Sequence, residues 1–98
     1  DKLEKNTIYF RNEIERLGYD IKKGAHPIIP IMLYDAKIAK KLSELLLEKG
    51  IYVISFSYPV VPKEEARIRV QISAAHSEEQ LKYAINCFHE AGEKLGIL

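Results

Sequence analysis

The chain has 98 residues, 47% of them apolar, with fifteen basic and fourteen acidic side chains for a formal net charge of +1. That size suits one compact domain with its own core, and the even charge argues against a nucleic-acid binder, which gathers a basic excess on one face. No apolar run approaches the ~20 residues of a membrane-spanning helix, and the single Cys87 cannot close an internal disulfide, so a reducing, cytoplasmic setting is expected.

The opening residues, DKLEKN, are polar, begin without Met and already read as helix. They predict a piece of a longer protein, not a secretory leader. Leu3, Thr7, Phe10, Ile14 and Leu17 recur at helical spacing, with Ile8 on the flank and Gly18 at a helix-ending position. The spacing predicts a helix over 2–17. After a loop, residues 28–33 form an apolar run. Pro30 within it has no N–H for a ladder, which places this first strand at a sheet edge. Asp35 offers an N-cap, Ile38, Ala39, Leu42, Leu45, Leu46 and Lys49 keep a 3.6-residue period, and Gly50 ends the second helix. Residues 51–57 read as a second strand and 66–73 as a third, joined by Tyr58–Glu65. Ser77 and Gln80 make a capping box ahead of Leu81, Ala84, Ile85, Phe88 and Leu95 on a last helix.

The order α-β-α-β-β-α predicts an α+β fold. A small three-stranded, mainly antiparallel sheet carries its third strand in the middle and helices on one face. Side chains alternate along a strand. Ile68, Val70 and Ile72 therefore face the helices, and Arg67, Arg69 and Gln71 face the open side.

Arg69 is the sharpest candidate. A guanidinium is charged at every working pH and can grip a carboxylate through two parallel hydrogen bonds. Composition alone favours a plainer role, an exposed ion pair worth ~0–1 kcal/mol. Arg67 shares the face but lies nearer the loop, where the plain role is stronger still. His76, just before the Ser77 cap, is either an acid–base group or a turn-fixing residue bonded to nearby backbone. His26 and His89 have no partners at ligand spacing, and no metal site is expected. Cys87 sits mid-helix and reads as passive. Tyr52, Phe56 and Tyr58 either stack on a cofactor ring or, more commonly, fill the core. No glycine-rich phosphate loop, nucleophile elbow or cofactor-binding lysine is visible. A complete active site is not expected in this chain.

The string Tyr58–Leu81, YPVVPKEEARIRVQISAAHSEEQL, resembles the C-terminal domain of the glycine C-acetyltransferases, also called 2-amino-3-ketobutyrate CoA ligases. These belong to the pyridoxal-phosphate-dependent α-oxoamine synthases of the aspartate-aminotransferase fold. Phe10-Arg11, the run His26–Leu33, Asp35 and Gly50–Ile54 extend the likeness along nearly the whole chain. The segment Phe56–Lys63 is particular to this member. Enzymes making 8-amino-7-oxononanoate, 5-aminolevulinate or ketosphinganine share mainly Arg67-x-Arg69 and Ala75-His76. Where Glu64 stands, the family usually has glycine.

The resemblance implies condensation of glycine with acetyl-CoA to 2-amino-3-ketobutyrate and CoA, reversibly, in threonine breakdown. It implies a homodimer, and a substrate-binding role for Arg69 at the glycine carboxylate. Pyridoxal 5′-phosphate (PLP), its lysine and its phosphate-binding residues are implied in a larger domain outside these residues. This stretch alone is then neither cofactor-binding nor catalytic. The rivals are a non-enzymatic α+β binding module that uses its open sheet face, and another oxoamine synthase such as 8-amino-7-oxononanoate synthase.

Overall fold

The computed structural model describes residues 1–98. Helix α1 spans Lys2–Leu17, strand β1 Asp20–Ile21, β2 Ile28–Tyr34, α2 Ala36–Glu48, β3 Ile54–Phe56, β4 Ala66–Gln71 and α3 Glu78–Lys94. The strand order is β1-β2-β4-β3, with every neighbouring pair antiparallel. The α+β reading holds, with β4 between the two strands expected beside it.

The helix ends follow from local chemistry. The Asp1 carboxylate accepts from the Glu4 N–H of α1. Gly18, at φ 113°, donates to the Glu15 carbonyl, and Tyr19 N–H reaches back to Ile14. Asp35 caps α2 by accepting from Lys37 and Ile38 N–H. Ser77 and Gln80 form both halves of the capping box on α3. Each cap satisfies N–H groups that have no partner inside the helix.

The sheet departs from expectation in two places. The strand with Pro30 is not at an edge, because the two-residue β1 pairs along its outer side and makes a fourth strand. Proline fits there because its missing N–H would face β1, not β4. Its carbonyl, on the same side, accepts from Lys22 N–H at 3.2 Å. The expected strand over 51–57 contracts to three residues, Ile54–Phe56. Ile51 N–H is drawn instead to the Leu46 carbonyl of α2 at 2.8 Å, which holds that stretch against the helix end.

The helices lie on one face. Phe10, Ile14, Ile29, Ile31, Leu42, Leu46, Ile68 and Phe88 are sealed between them and the sheet. Phe88 meets Phe10 and Tyr19 edge to face, at 5.8 and 5.7 Å between centroids. Burial pushes the Tyr19 phenol up, and its hydroxyl donates to the Phe88 carbonyl at 2.6 Å. Arg11 is buried as well. Its guanidinium donates to the carbonyls of Lys22 at 2.8 Å and His26 at 2.9 and 3.2 Å, which ties the 22–26 loop to α1.

Candidate functional site

The face of the sheet away from the helices is built in rows. Pro30, Arg69 and Ile54 stand opposite one another across β2, β4 and β3, and Met32, Arg67 and Phe56 form the next row. Residues opposite in a ladder project from the same face. This puts Arg69 at the centre of an apolar ledge, on the middle strand, where both neighbours hold the backbone.

The two arginines are partnered differently. Arg67 donates through Nε to the Glu65 carbonyl at 3.1 Å and through Nη2 to the Glu65 carboxylate at 3.3 Å. Arg69 makes none of the chain's ion pairs or side-chain hydrogen bonds. Its guanidinium carbon instead lies 5.2 Å from the centroid of the Phe56 ring. Its N–H donors are left without a protein acceptor on a half-covered face. Such an arrangement can bind an anion, and the planar fork suits a carboxylate.

The other candidates engage neighbouring backbone or side chains. His76 accepts from Ser73 N–H through Nδ1 at 3.1 Å, and its own N–H returns to the Ser73 carbonyl at 3.1 Å. Asn6 of α1 clasps the same turn by donating to the Ser73 and His76 carbonyls, both at 3.0 Å. This is the turn-fixing role. His26 accepts from Ile28 N–H at 3.1 Å, and His89 pairs with Glu93 at 3.5 Å. Cys87 is buried on α3. No three His, Cys, Asp or Glu side chains converge, and no helix is long and apolar enough to cross a membrane.

Tyr52 and Tyr58 do not fill the core, at 77% and 60% exposed. Tyr52 lies in the stretch that α2 pulls off the ladder, and Tyr58 lies in the loop, its ring 5.1 Å from Lys63 Nζ. Phe56 is half-buried; it stands opposite Arg67 in the ladder, but its ring meets Arg69 diagonally, a contact fixed by where β3 begins. A cleft of about 750 Å³ lies at the far end of β4 between Ile51, Gln71, His76, Leu81 and Tyr83. It excludes Arg69, and its floor is apolar.

An α+β layer of three helices on one face of a small antiparallel sheet, with one arginine unpartnered on the other face, defines the fold class. Residues 1–88 match the family model of aminotransferase class I and II, so the chain belongs to that family. It is 51% identical over 92 residues to human mitochondrial 2-amino-3-ketobutyrate coenzyme A ligase, covering 94% of this chain and 22% of that protein. It is 46% identical over 97 residues to 8-amino-7-oxononanoate synthase of Thermosipho melanesiensis, covering 99% of this chain and 25% of that protein. Both names describe an amine beside a ketone, as the resemblance to the oxoamine synthases implies. A solved structure of SPT with PLP matches at TM-score 0.94, with 24% identity over 99% of this chain and 25% of that one, a likeness of fold. The chain thus spans about a quarter of the length of the proteins it matches.

Proposed function

We propose that this chain is the C-terminal, substrate-holding domain of a longer PLP-dependent α-oxoamine synthase, and within that group of a glycine C-acetyltransferase. In that reaction a carbon–carbon bond forms between the glycine Cα and the acetyl carbonyl of acetyl-CoA. The thioester C–S bond breaks and CoA leaves as its thiol. Bound PLP would supply the electron sink that stabilises a carbanion at Cα.

The residues of the open face do not themselves fit PLP. Arg69 stands between Pro30 and Ile54, with Phe56, Met32 and Gln71 around it. None of these is a lysine to hold the cofactor or an acid to meet its ring nitrogen. In this reading the cofactor is bound by chain outside these 98 residues.

What this chain contributes is Arg69, and its unpartnered guanidinium is the observation that carries the proposal. Two parallel N–H donors fix the glycine carboxylate, and a fixed carboxylate orients the Cα–H bond. Positioning of this kind supplies up to several kcal/mol of a barrier, about 7 in favourable cases. The test is CoA thiol release by the full-length protein from glycine and acetyl-CoA. No release from that pair would overturn the assignment.

A second reading is supported by the 46% identity to the Thermosipho protein. Disconnecting 8-amino-7-oxononanoate between ketone and amine-bearing carbon leaves a seven-carbon dicarboxylic acyl group and a two-carbon amine, which is alanine less a carboxylate that must leave as CO2 while the thioester's CoA leaves as its thiol. Turnover of alanine with that acyl thioester, in preference to glycine with acetyl-CoA, would move the assignment there. The Phe56–Lys63 segment supports the first reading.

A further inference from the structure

We propose that Phe56 is a positioning residue for Arg69: its ring holds the guanidinium over the open face while leaving the N–H donors free for a carboxylate. The inference rests on the reading of Arg69 as the substrate clamp and adds how that clamp is held.

Phe56 lies in β3 directly opposite Arg67, so its ring projects from the same face and reaches diagonally to Arg69. The guanidinium carbon is 5.2 Å from the ring centroid, inside the range where a cation is drawn to an aromatic face. An arginine has many rotamers, and those not already restricted must be frozen when a ligand is bound. The two ways of restricting them differ in consequence. Arg67 is held by an acid and a carbonyl, and those contacts occupy Nε and Nη2. Arg69 is held by a π surface, which engages the plane of the group and none of its N–H bonds. A carboxylate in place of the ring would compete with the substrate for the same fork.

The ring itself is anchored. Phe56 is half-buried on a strand paired with β4, and Met32, in the same row, is 8% exposed. Arg69 is thus held from the neighbouring strand, and the substrate approaches from the open side.

In the full-length holoenzyme, Phe56→Leu is expected to raise the KM for glycine about three- to fivefold, the size of an exposed cation–π contact. The KM for acetyl-CoA should stay unchanged, and kcat should fall by no more than the same factor, because a loosened carboxylate also loosens the Cα–H bond it orients. Phe56→Tyr keeps the face and should keep the parental glycine KM. Phe56→Met carries the same test if the leucine variant is unstable. A readout independent of turnover is the Arg69 Nε–H resonance, assigned by its loss in Arg69→Lys. Its upfield ring-current shift should vanish in Phe56→Leu and persist in Phe56→Tyr. An unchanged glycine KM in Phe56→Leu, or equal damage from tyrosine and leucine, overturns the positioning role. If Arg69→Ala leaves the glycine KM unchanged, the clamp reading itself fails. If Arg69→Ala raises it and Phe56→Leu does not, only the role of Phe56 fails.

Discussion

On one side of β4, Ala66, Ile68 and Val70 are 2%, 0% and 7% exposed, each enclosed by the helices and by Ile29 and Ile31 of β2. On the other side Arg67 and Arg69 are partly exposed, in rows that include Pro30, Ile54 and Phe56. The same six residues thus serve two ends. The helix side is complete: its contacts account for every side chain on it. The open side is complete at Arg67, which has Glu65, and incomplete at Arg69, which has only a ring. A partly exposed, centrally placed charge that lacks a partner of opposite sign is left to water or to an external anion. That asymmetry within one strand separates a face that folds the domain from a face with a charge free to bind.

Substitutions on the two sides should therefore fail differently. The largest effect is on the helix side. Ile68→Ala removes a fully buried side chain from the central strand and should cost about 2–5 kcal/mol of stability, part transfer and part cavity. Denaturant unfolding measures this, and a loss below about 1 kcal/mol would mean the site collapses onto the gap. On the open side Arg69→Ala should cost no more than about 0.5–1 kcal/mol, the ring contact, since the side chain has no acid or carbonyl to abandon. In the full-length enzyme it should raise the glycine KM about 10- to 100-fold, the worth of a charge-assisted bidentate contact. A variant that unfolds easily and binds glycine normally would reverse the comparison.

The helix side was the more legible in sequence because local rules decide it. The period of Leu3, Thr7, Phe10 and Ile14 places α1, caps at Asp35 and Ser77 start α2 and α3, and alternation in β4 sorts its faces. Signals that need distant partners were weaker. Two residues, Asp20 and Ile21, carry no period of their own, so β1 and the interior position of the Pro30 strand were not visible. Arg11 sits on the buried stripe, four residues past Thr7 and three before Ile14, but nothing local in the sequence supplies acceptors for a buried guanidinium. Only the carbonyls of Lys22 and His26, brought round by the loop, make its burial tolerable. The open side followed the same division. Nearness to the loop marks Arg67 rather than Arg69 for the plainer role, but that Glu65 is the acid it meets is seen only in the structure. The stacking of Phe56 depended on where β3 begins, and Ile51 set that by turning toward α2.

The loop that joins β3 to β4 offers a smaller effect. Glu64 has φ 64°, in the left-handed region, at the position where the resembling family usually carries glycine. An L side chain there costs about 1–2 kcal/mol, partly offset by the extra freedom glycine gives the unfolded chain. Glu64→Gly should gain about 0.5–1 kcal/mol, a rise of ~2–8 °C in melting temperature for a chain this size. A lower melting temperature would show that the glutamate earns its place through contacts.

The smallest effect tests the contrast between the arginines most closely. The Arg67–Glu65 carboxylate contact is 3.3 Å long, but the Glu65 side chain is 48% exposed, and water screens it. Such a pair is worth ~0–1 kcal/mol and less at high salt. Glu65→Gln keeps the carbonyl that accepts from Arg67 Nε, so Arg67 should stay where it is. The melting temperature should shift by no more than ~4–8 °C, and the glycine KM should not change. If instead Glu65→Gln tightens glycine binding, Arg67 is a second anion-binding group that Glu65 keeps occupied. The two guanidiniums would then differ in occupancy and not in kind, and the single-clamp account of this face would give way to a paired one.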